Sequence, residues 1–290
     1  MQVIRFKNES LSATGRAILC AALLLIAGCA GPLFGDGMDL ARDVGTRAGM
    51  TEFRIDTGDF VLTGFRSNHQ TARKLALYIE GDGYAYASRT QPSTDPTPKD
   101  PVGLRLAAVA AQHPHPDIAV VYLARPCQYL RGDGDQKRCN VLHWTLHRFA
   151  PEVVAAYQTA LSALMRQFGA SSVDLYGYSG GGTVAALLAG ATEGEVRLTT
   201  FAAVLDLDTW VSVRRLTPLS GSLNPAETPS LADIPQTHYI GQDDDRVPLE
   251  IAQSYVRRIG GLAENSLFYA PDVDHDCCWD RFWESGYAKQ

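Results

Sequence analysis

The chain has 290 residues, with 26 Lys and Arg against 32 Asp and Glu and a formal net charge of −6. No basic stripe or clustered Lys/Arg face is present, so nucleic acid is not expected as a partner. The length allows one large hydrophobic core without demanding two domains.

At the N-terminus Arg5, Lys7 and Arg16 lead into an apolar run from Ala17 to Ala27 that ends in Gly28-Cys29, the layout of a secretory signal. The run has 11 residues, too few for the roughly 20 that a spanning helix needs. Leu25-Ile26-Ala27-Gly28-Cys29 resembles the bacterial lipobox. That resemblance implies cleavage after Gly28, acylation of Cys29 and attachment to a membrane through the lipid. Ala30 rather than Asp after the cysteine resembles the outer-membrane sorting pattern, so the expected location is the bacterial cell envelope, at the outer membrane. An ordinary signal peptide with an incidental cysteine is the alternative. Residues 1–28 are then the signal, 29–50 the lipidated N-terminus and tether, and 51–290 one domain; loss of the signal leaves 262 residues and a charge of −8.

Of six cysteines, Cys20 falls in the signal and Cys29 at the anchor. Cys127, Cys139, Cys277 and Cys278 would lie in an oxidising compartment and are expected to pair. Cys127 with Cys139 is favoured, because it closes a Gly/Asp-rich excursion from Arg131 to Arg138; such a loop contributes about 3 kcal/mol. The remaining two are adjacent. Neighbouring Cα atoms across a trans peptide are about 3.8 Å apart, below the usual disulfide range of about 4.4 to 6.8 Å, so crossed pairing stays open. The spacing lacks the separated Cys and His pairs of a zinc site, and no metal is expected.

After the anchor, Gly31 to Gly49 is small, glycine-rich and aperiodic, and reads as a tether. Thr51 to Asp56 and Asp59 to Arg66 alternate apolar and polar around Thr57-Gly58, predicting an antiparallel hairpin at a sheet edge. Leu75 to Ile79, Ile118 to Leu123, Val173 to Tyr176, Leu198 to Leu205 and Thr237 to Ile240 are continuous apolar runs, as in parallel strands covered on both faces. Between them run helix-period segments: Val102 to Gln112, Pro151 to Phe168, Gly182 to Ala191 and Leu249 to Ile259. Pro151 sits at a helix start, and Gly169 and Gly260 just past helix ends. A short last strand, Ser266 to Tyr269, follows. This alternation predicts an α/β fold, a mainly parallel sheet with helices on both faces and ligand sites at the carboxyl ends of the strands. Gln91 to Pro101, Arg125 to Arg148 and Asp206 to Pro235 break the alternation and are expected to form rim or cap.

Gly177-Tyr178-Ser179-Gly180-Gly181 follows directly on a strand and opens a small-residue helix, the context a nucleophile elbow needs. The glycines let strand and helix approach, Ser179 projects its hydroxyl, and the Gly180 N–H points from the helix start toward a developing oxyanion. A serine hydroxyl is a poor nucleophile unless a base takes its proton. For the acid, Asp243, Asp244 and Asp245 follow the strand ending at Ile240, with Asp206 and Asp208 as a second location. For the base, His275 lies in the loop after the last strand. His69, His113, His115, His143 and His147 lie elsewhere in loops, and His238 within a predicted buried strand. Tyr84, Tyr86, Trp144 and Arg148 are candidates for lining the site or packing its rim.

From about Thr51 to its end, the chain resembles the α/β-hydrolase superfamily, and more narrowly bacterial lipoprotein hydrolases with Arg-Pro-Cys, Gly-Tyr-Ser-Gly-Gly and His-x-Cys-Cys-Trp. The resemblance implies the α/β-hydrolase fold and a serine nucleophile, acid and histidine in the order Ser179, Asp244, His275. Asp244 is the acid that the family's Gly-x-x-Asp-x-x-Val-Pro pattern selects. A second oxyanion donor, beside Gly180, is expected from Glu80-Gly81-Asp82-Gly83, which stands where the family commonly has His-Gly-x. The Asp82 N–H could serve; its carboxylate would oppose an oxyanion if turned inward, and is expected to turn away. The implied activity is hydrolysis of a small-molecule or lipid carboxylic ester through an acyl-enzyme, without metal or organic cofactor. Peptidase, thioesterase or acyltransferase chemistry on the same triad, or a non-catalytic surface-binding lipoprotein, are the alternatives.

Overall fold

The computed structural model describes residues 37–132, 139–261 and 266–287; the expected signal, Cys20 and Cys29 lie outside them. The apolar runs form an eight-stranded sheet of order β1-β2-β4-β3-β5-β6-β7-β8. In chain order the strands are β1 (Thr51–Asp56), β2 (Val61–Arg66), β3 (Lys74–Ile79), β4 (Ile118–Leu123), β5 (Ser172–Tyr178), β6 (Glu195–Phe201), β7 (Gln236–Gly241) and β8 (Leu267–Ala270). β1 and β2 make the antiparallel edge hairpin, β2 runs antiparallel to β4, and every other pairing is parallel.

The helices are α1 (Gly37–Arg47), α2 (Val102–Gln112), α3 (Pro151–Phe168), α4 (Gly180–Gly190), α5 (Leu207–Arg214), α6 (Leu249–Arg258) and α7 (Trp279–Tyr287). α3 shows how the sequence builds them. Pro151 supplies a preset φ at the first turn, and Gly169 ends the helix at φ 70°. Val153, Val154, Tyr157, Leu161, Leu164 and Phe168 make one buried face. That face joins α4 and α6 on one side of the sheet. On the other side Met38 and Ala41 of α1, Leu104 and Leu106 of α2, and Trp279 of α7 form a second buried layer. Among the described residues no helix is long and apolar enough to cross a membrane.

Three expectations are revised, and the favoured cysteine pairing is formed. The tether reading of 29–50 fails from Gly37 onward, because Met38, Ala41 and Gly45 recur at helical spacing and are buried, with Gly45 tight against the Phe65 ring. The compact unit accordingly begins at Gly37 rather than Thr51. The strand expected to reach Leu205 stops at Phe201, since Ala202 takes a φ of 50° and turns the chain. The rim segment after Asp206 contains α5, whose first turn is capped by the Asp206 side chain. Cys127 pairs with Cys139, with Cα atoms 5.6 Å apart. Cys277 and Cys278 are bonded to each other, so the crossed pairing left open is not formed.

The parallel register aligns the carboxyl ends of the strands. Ile79 lies beside Gly177, Tyr178 beside Phe201, and Gly241 beside Ala270. The loops after β3, β5, β7 and β8 therefore emerge at one edge of the sheet. His238, inside β7, is fully enclosed with Nδ1 2.8 Å from the Thr200 hydroxyl oxygen. Burial pushes its pKa down to about 3, so the ring stays neutral and belongs to the core.

Candidate active site

Ser179 joins β5 to α4 with φ 50° and ψ −121°, a conformation that a residue with a Cβ adopts only when its surroundings enforce it. The surroundings here are backbone. A Cβ on Gly181 would collide with the carbonyl oxygens of Ile79 and Glu80, and one on Gly180 with the Asp82 carboxylate. Glycine at these positions lets α4 start against the end of β3, and Ser179 is left on the turn. As the first residue of α4, Gly180 has an N–H with no intrahelical acceptor.

Of the three adjacent aspartates only Asp244 is buried. Its Oδ1 accepts from the Arg246 and Val247 N–H groups, both at 2.9 Å. Its Oδ2 is 2.9 Å from Nδ1 of His275. His275 Nε2 in turn lies 3.1 Å from the Ser179 hydroxyl oxygen. The geometry fits a ring that donates its Nδ1 proton to Asp244 and leaves Nε2 to accept from the serine. The His275 loop is anchored through its carbonyl, which accepts from the Tyr178 hydroxyl at 2.8 Å and the Trp279 indole at 3.0 Å. Asp206 and Asp208 point into a different cluster, around Arg258 at 2.8 and 2.9 Å. Ser254 and Thr209 complete the Asp206 shell.

The loop after β3 is tied at three residues. Glu80 is buried, and its carboxyl accepts from the N–H groups of Gly81 and Gly103 at 2.9 Å, from Leu104 at 3.4 Å and from the Tyr122 hydroxyl at 2.9 Å. Burial raises its pKa despite these donors. Gln128 donates to the Gly81 carbonyl at 3.1 Å and accepts from the Arg125 N–H at 3.0 Å. The Asp82 carboxylate is held by both Arg125, at 2.9 Å, and Arg148, at 2.6 Å. Burial alone would raise the Asp82 pKa; the Arg148 and Arg125 charges outweigh it and hold it below the usual carboxylate range. Arg125 also donates to the Arg148 carbonyl, and Arg148 Nε to that of Thr145 at 2.6 Å. Among the described residues no hydrogen bond uses the Asp82 N–H.

These loops surround a cleft of about 680 Å³ whose lining includes Ser179, His275, Asp82, Tyr84, Tyr86 and Arg148. Trp144 is not part of it; its indole donates to the Ser93 carbonyl at 3.1 Å. Trp210 of α5 reaches the cleft and donates to the Arg246 carbonyl at 3.0 Å, which docks α5 on the Asp244 turn. Among the described residues no group of three His, Cys, Asp or Glu is arranged to hold a metal.

No family model matches the sequence, and no curated protein matches it. Solved structures do. An esterase of Pyrococcus furiosus has a TM-score of 0.58 over 86% of this chain and 91% of its own, at 12% identity. A bacterial membrane phospholipase A gives 0.53 over 94% and 97%, at 15% identity. An alpha-beta serine hydrolase homologue of Coxiella burnetii gives 0.51 over 78% and 89%, at 13% identity. The chain has the α/β-hydrolase fold. Within that fold, the residues singled out from sequence, Ser179, Asp244, His275, Asp82 and Gly180, all fall at the carboxyl edge of the sheet. Sequence reasoning missed Arg125 and Gln128. The Arg-Pro-Cys motif was the visible signal for them, but nothing in the chain order ties Arg125 to Asp82.

Proposed function

We propose that the protein is a serine hydrolase that cleaves carboxylic esters. The observation that carries this reading is the hydrogen-bonded series from the Ser179 hydroxyl through His275 to buried Asp244, set at the open N-terminus of α4. Ser179 Oγ bonds to the acyl carbon while its proton passes to His275 Nε2. The oxyanion is received by the N–H groups of Gly180 and Asp82. Collapse breaks the bond to the alcohol, which leaves with the Nε2 proton. Water then repeats the sequence on the acyl-enzyme, with His275 again the base, and releases the acid. Asp82 does not oppose the oxyanion, because two guanidinium groups hold and neutralise its carboxylate. An esterase and a phospholipase A among the similar structures support the ester reading, and an acylaminoacyl peptidase among them makes amide cleavage on the same residues the competing one.

The test is labelling with a fluorophosphonate at Ser179, followed by turnover of matched 4-nitrophenyl esters and 4-nitroanilides. Labelling with turnover of the ester and no measurable turnover of the matched anilide is expected, since a peptidase on the same residues would cleave both. Labelling with preferred anilide turnover would make the protein a peptidase or amidase, and absence of labelling would favour a binding protein of the same fold.

The same proposal includes acylation of Cys29 and attachment to the outer membrane, supported by the lipobox-like Leu25-Ile26-Ala27-Gly28-Cys29. A radiolabelled fatty acid fed to expressing cells is expected to enter the wild type and not Cys29→Ser; equal incorporation would refute it.

A further inference from the structure

The charges lining the cleft are matched, with one exception. Its carboxyl groups are Glu80, Asp82, Asp100 and Asp276, and its cations Lys99, Arg148 and Arg246. Glu80 is saturated by three N–H groups and the Tyr122 hydroxyl. Asp82 is taken by Arg125 and Arg148. Asp100 lies 2.8 Å from Arg105, and Asp276 lies 2.6 Å from Arg246. Arg148 and Arg246 are thereby used as well. Lys99 is left over: among the described residues no carboxylate lies within ion-pair distance of it.

Lys99 is nevertheless positioned. Its ammonium sits 3.6 Å from the centre of the Tyr84 ring, an arrangement in which the ring attracts the cation without discharging it. The Tyr84 main chain is held in turn, its backbone N–H donating to the Pro96 carbonyl at 3.0 Å. An ammonium resting one side on a ring still offers N–H donors on the other, and Lys99 borders the cleft. The cleft thus presents one exposed, unneutralised positive charge beside aromatic surface from Tyr84, Tyr86 and Trp210.

We propose that Lys99, seated on Tyr84, is an anion subsite, and that the ester cleaved at Ser179 carries a carboxylate or phosphate group. This rests on the hydrolase reading above and adds the class of substrate.

The test compares two matched pairs. Mono(4-nitrophenyl) glutarate is set against 4-nitrophenyl pentanoate, and phosphoethyl pentanoate against ethyl pentanoate, with wild type, Lys99→Met and Lys99→Arg. In at least one pair the anionic-to-neutral ratio of kcat/KM is expected to fall about two- to fivefold in Lys99→Met, through KM, as for one exposed charge. Lys99→Arg should keep the ratio, and raising salt to about 0.5 M should bring the wild-type ratio toward that of Lys99→Met. Which pair responds shows whether the anion is taken as a carboxylate on the acyl side or as a phosphate on the alcohol side. Equal ratios in wild type and Lys99→Met for both pairs would overturn the subsite, while fluorophosphonate labelling of Ser179 shows whether the hydrolase reading stands. Calorimetric binding of the glutarate ester and its neutral match to Ser179→Ala, with and without Lys99→Met, decides the subsite without turnover: weaker binding of the anion alone supports it, and no change refutes it.

Discussion

Ser179→Ala is expected to lower kcat on a 4-nitrophenyl ester by on the order of a millionfold, and His275→Ala by a similar factor. The two groups act as one device. With the hydroxyl gone, the imidazole has no proton to take, and with the imidazole gone the hydroxyl is an alcohol of ordinary reactivity. The double variant should therefore be no slower than either single one. Asp244→Asn should lose about ten-thousandfold, because the amide disfavours the tautomer with its proton on Nδ1 and leaves the imidazolium unsupported. Asp243→Asn and Asp245→Asn, both exposed, should leave kcat within about twofold, in line with surface substitutions. Steady-state rates, with circular dichroism to show that each variant is folded, check the set. Wild-type turnover by Ser179→Ala would end the nucleophile assignment, and a larger loss from Asp243→Asn than from Asp244→Asn would move the acid.

Asp82→Ala is expected to damage stability and catalysis together. The carboxylate bridges two guanidinium groups whose side chains are 5% and 8% exposed. Removing it strands both cations, and breaking a buried ion pair from one side costs about 3 to 5 kcal/mol. At about 2 to 4 °C per kcal/mol for a domain of this size, the melting temperature should fall by roughly 10 °C. The loop carrying the Asp82 N–H also loses its brace, and loss of one oxyanion donor lowers kcat by about a hundred- to a thousandfold. Asp82 acts here as a positioning residue, so the effect should appear in kcat far more than in KM, and Asp82→Asn should recover part of it. The pH dependence has a definite sign. The folded-state pKa of Asp82 is depressed, so its contribution is present above the unfolded carboxylate value near 4 and is lost as pH falls through the lower folded value. The melting-temperature gap between wild type and Asp82→Ala should be constant from about pH 8 to 5 and narrow below about pH 4. A gap that is already closed at pH 6, or a defect confined to KM, would contradict this account.

The strands and the chemistry-bearing loops were legible because both are local signals. A continuous apolar run says that a strand is covered on both faces, and an elbow motif directly after one says where a hydroxyl will stand. The choice of Asp244 among three aspartates was written in a motif, yet its physical reason is a turn that buries only that side chain against His275, 31 residues later. What holds the Asp82 carboxylate was not legible. Its partners lie 43 and 66 residues downstream, and no periodicity links positions so far apart. α1 escaped notice because its buried face is built from Met38, Ala41 and Gly45, too small and too glycine-rich to resemble a helix before the Phe65 ring it packs on is known. α7 was passed over for a related reason. Its apolar residues Trp279, Phe282 and Trp283 are spaced for a helix face, but they span barely one turn, too short a run for a periodic signal.

Two helices begin beside the same cleft, and the chain treats their ends in opposite ways. At the head of α2 the N–H groups of Gly103 and Leu104 are already occupied by the Glu80 carboxyl, so that end is plugged from within. Among the described residues the head of α4, at Gly180, carries no such plug. A polarised carbonyl oxygen entering the cleft thus meets one vacant helix end instead of two competing ones, and only a carbonyl that docks there lies over Ser179. Glu80, which touches no substrate in this account, would then act as a register device, removing the berth in which an ester could lie out of line with the hydroxyl.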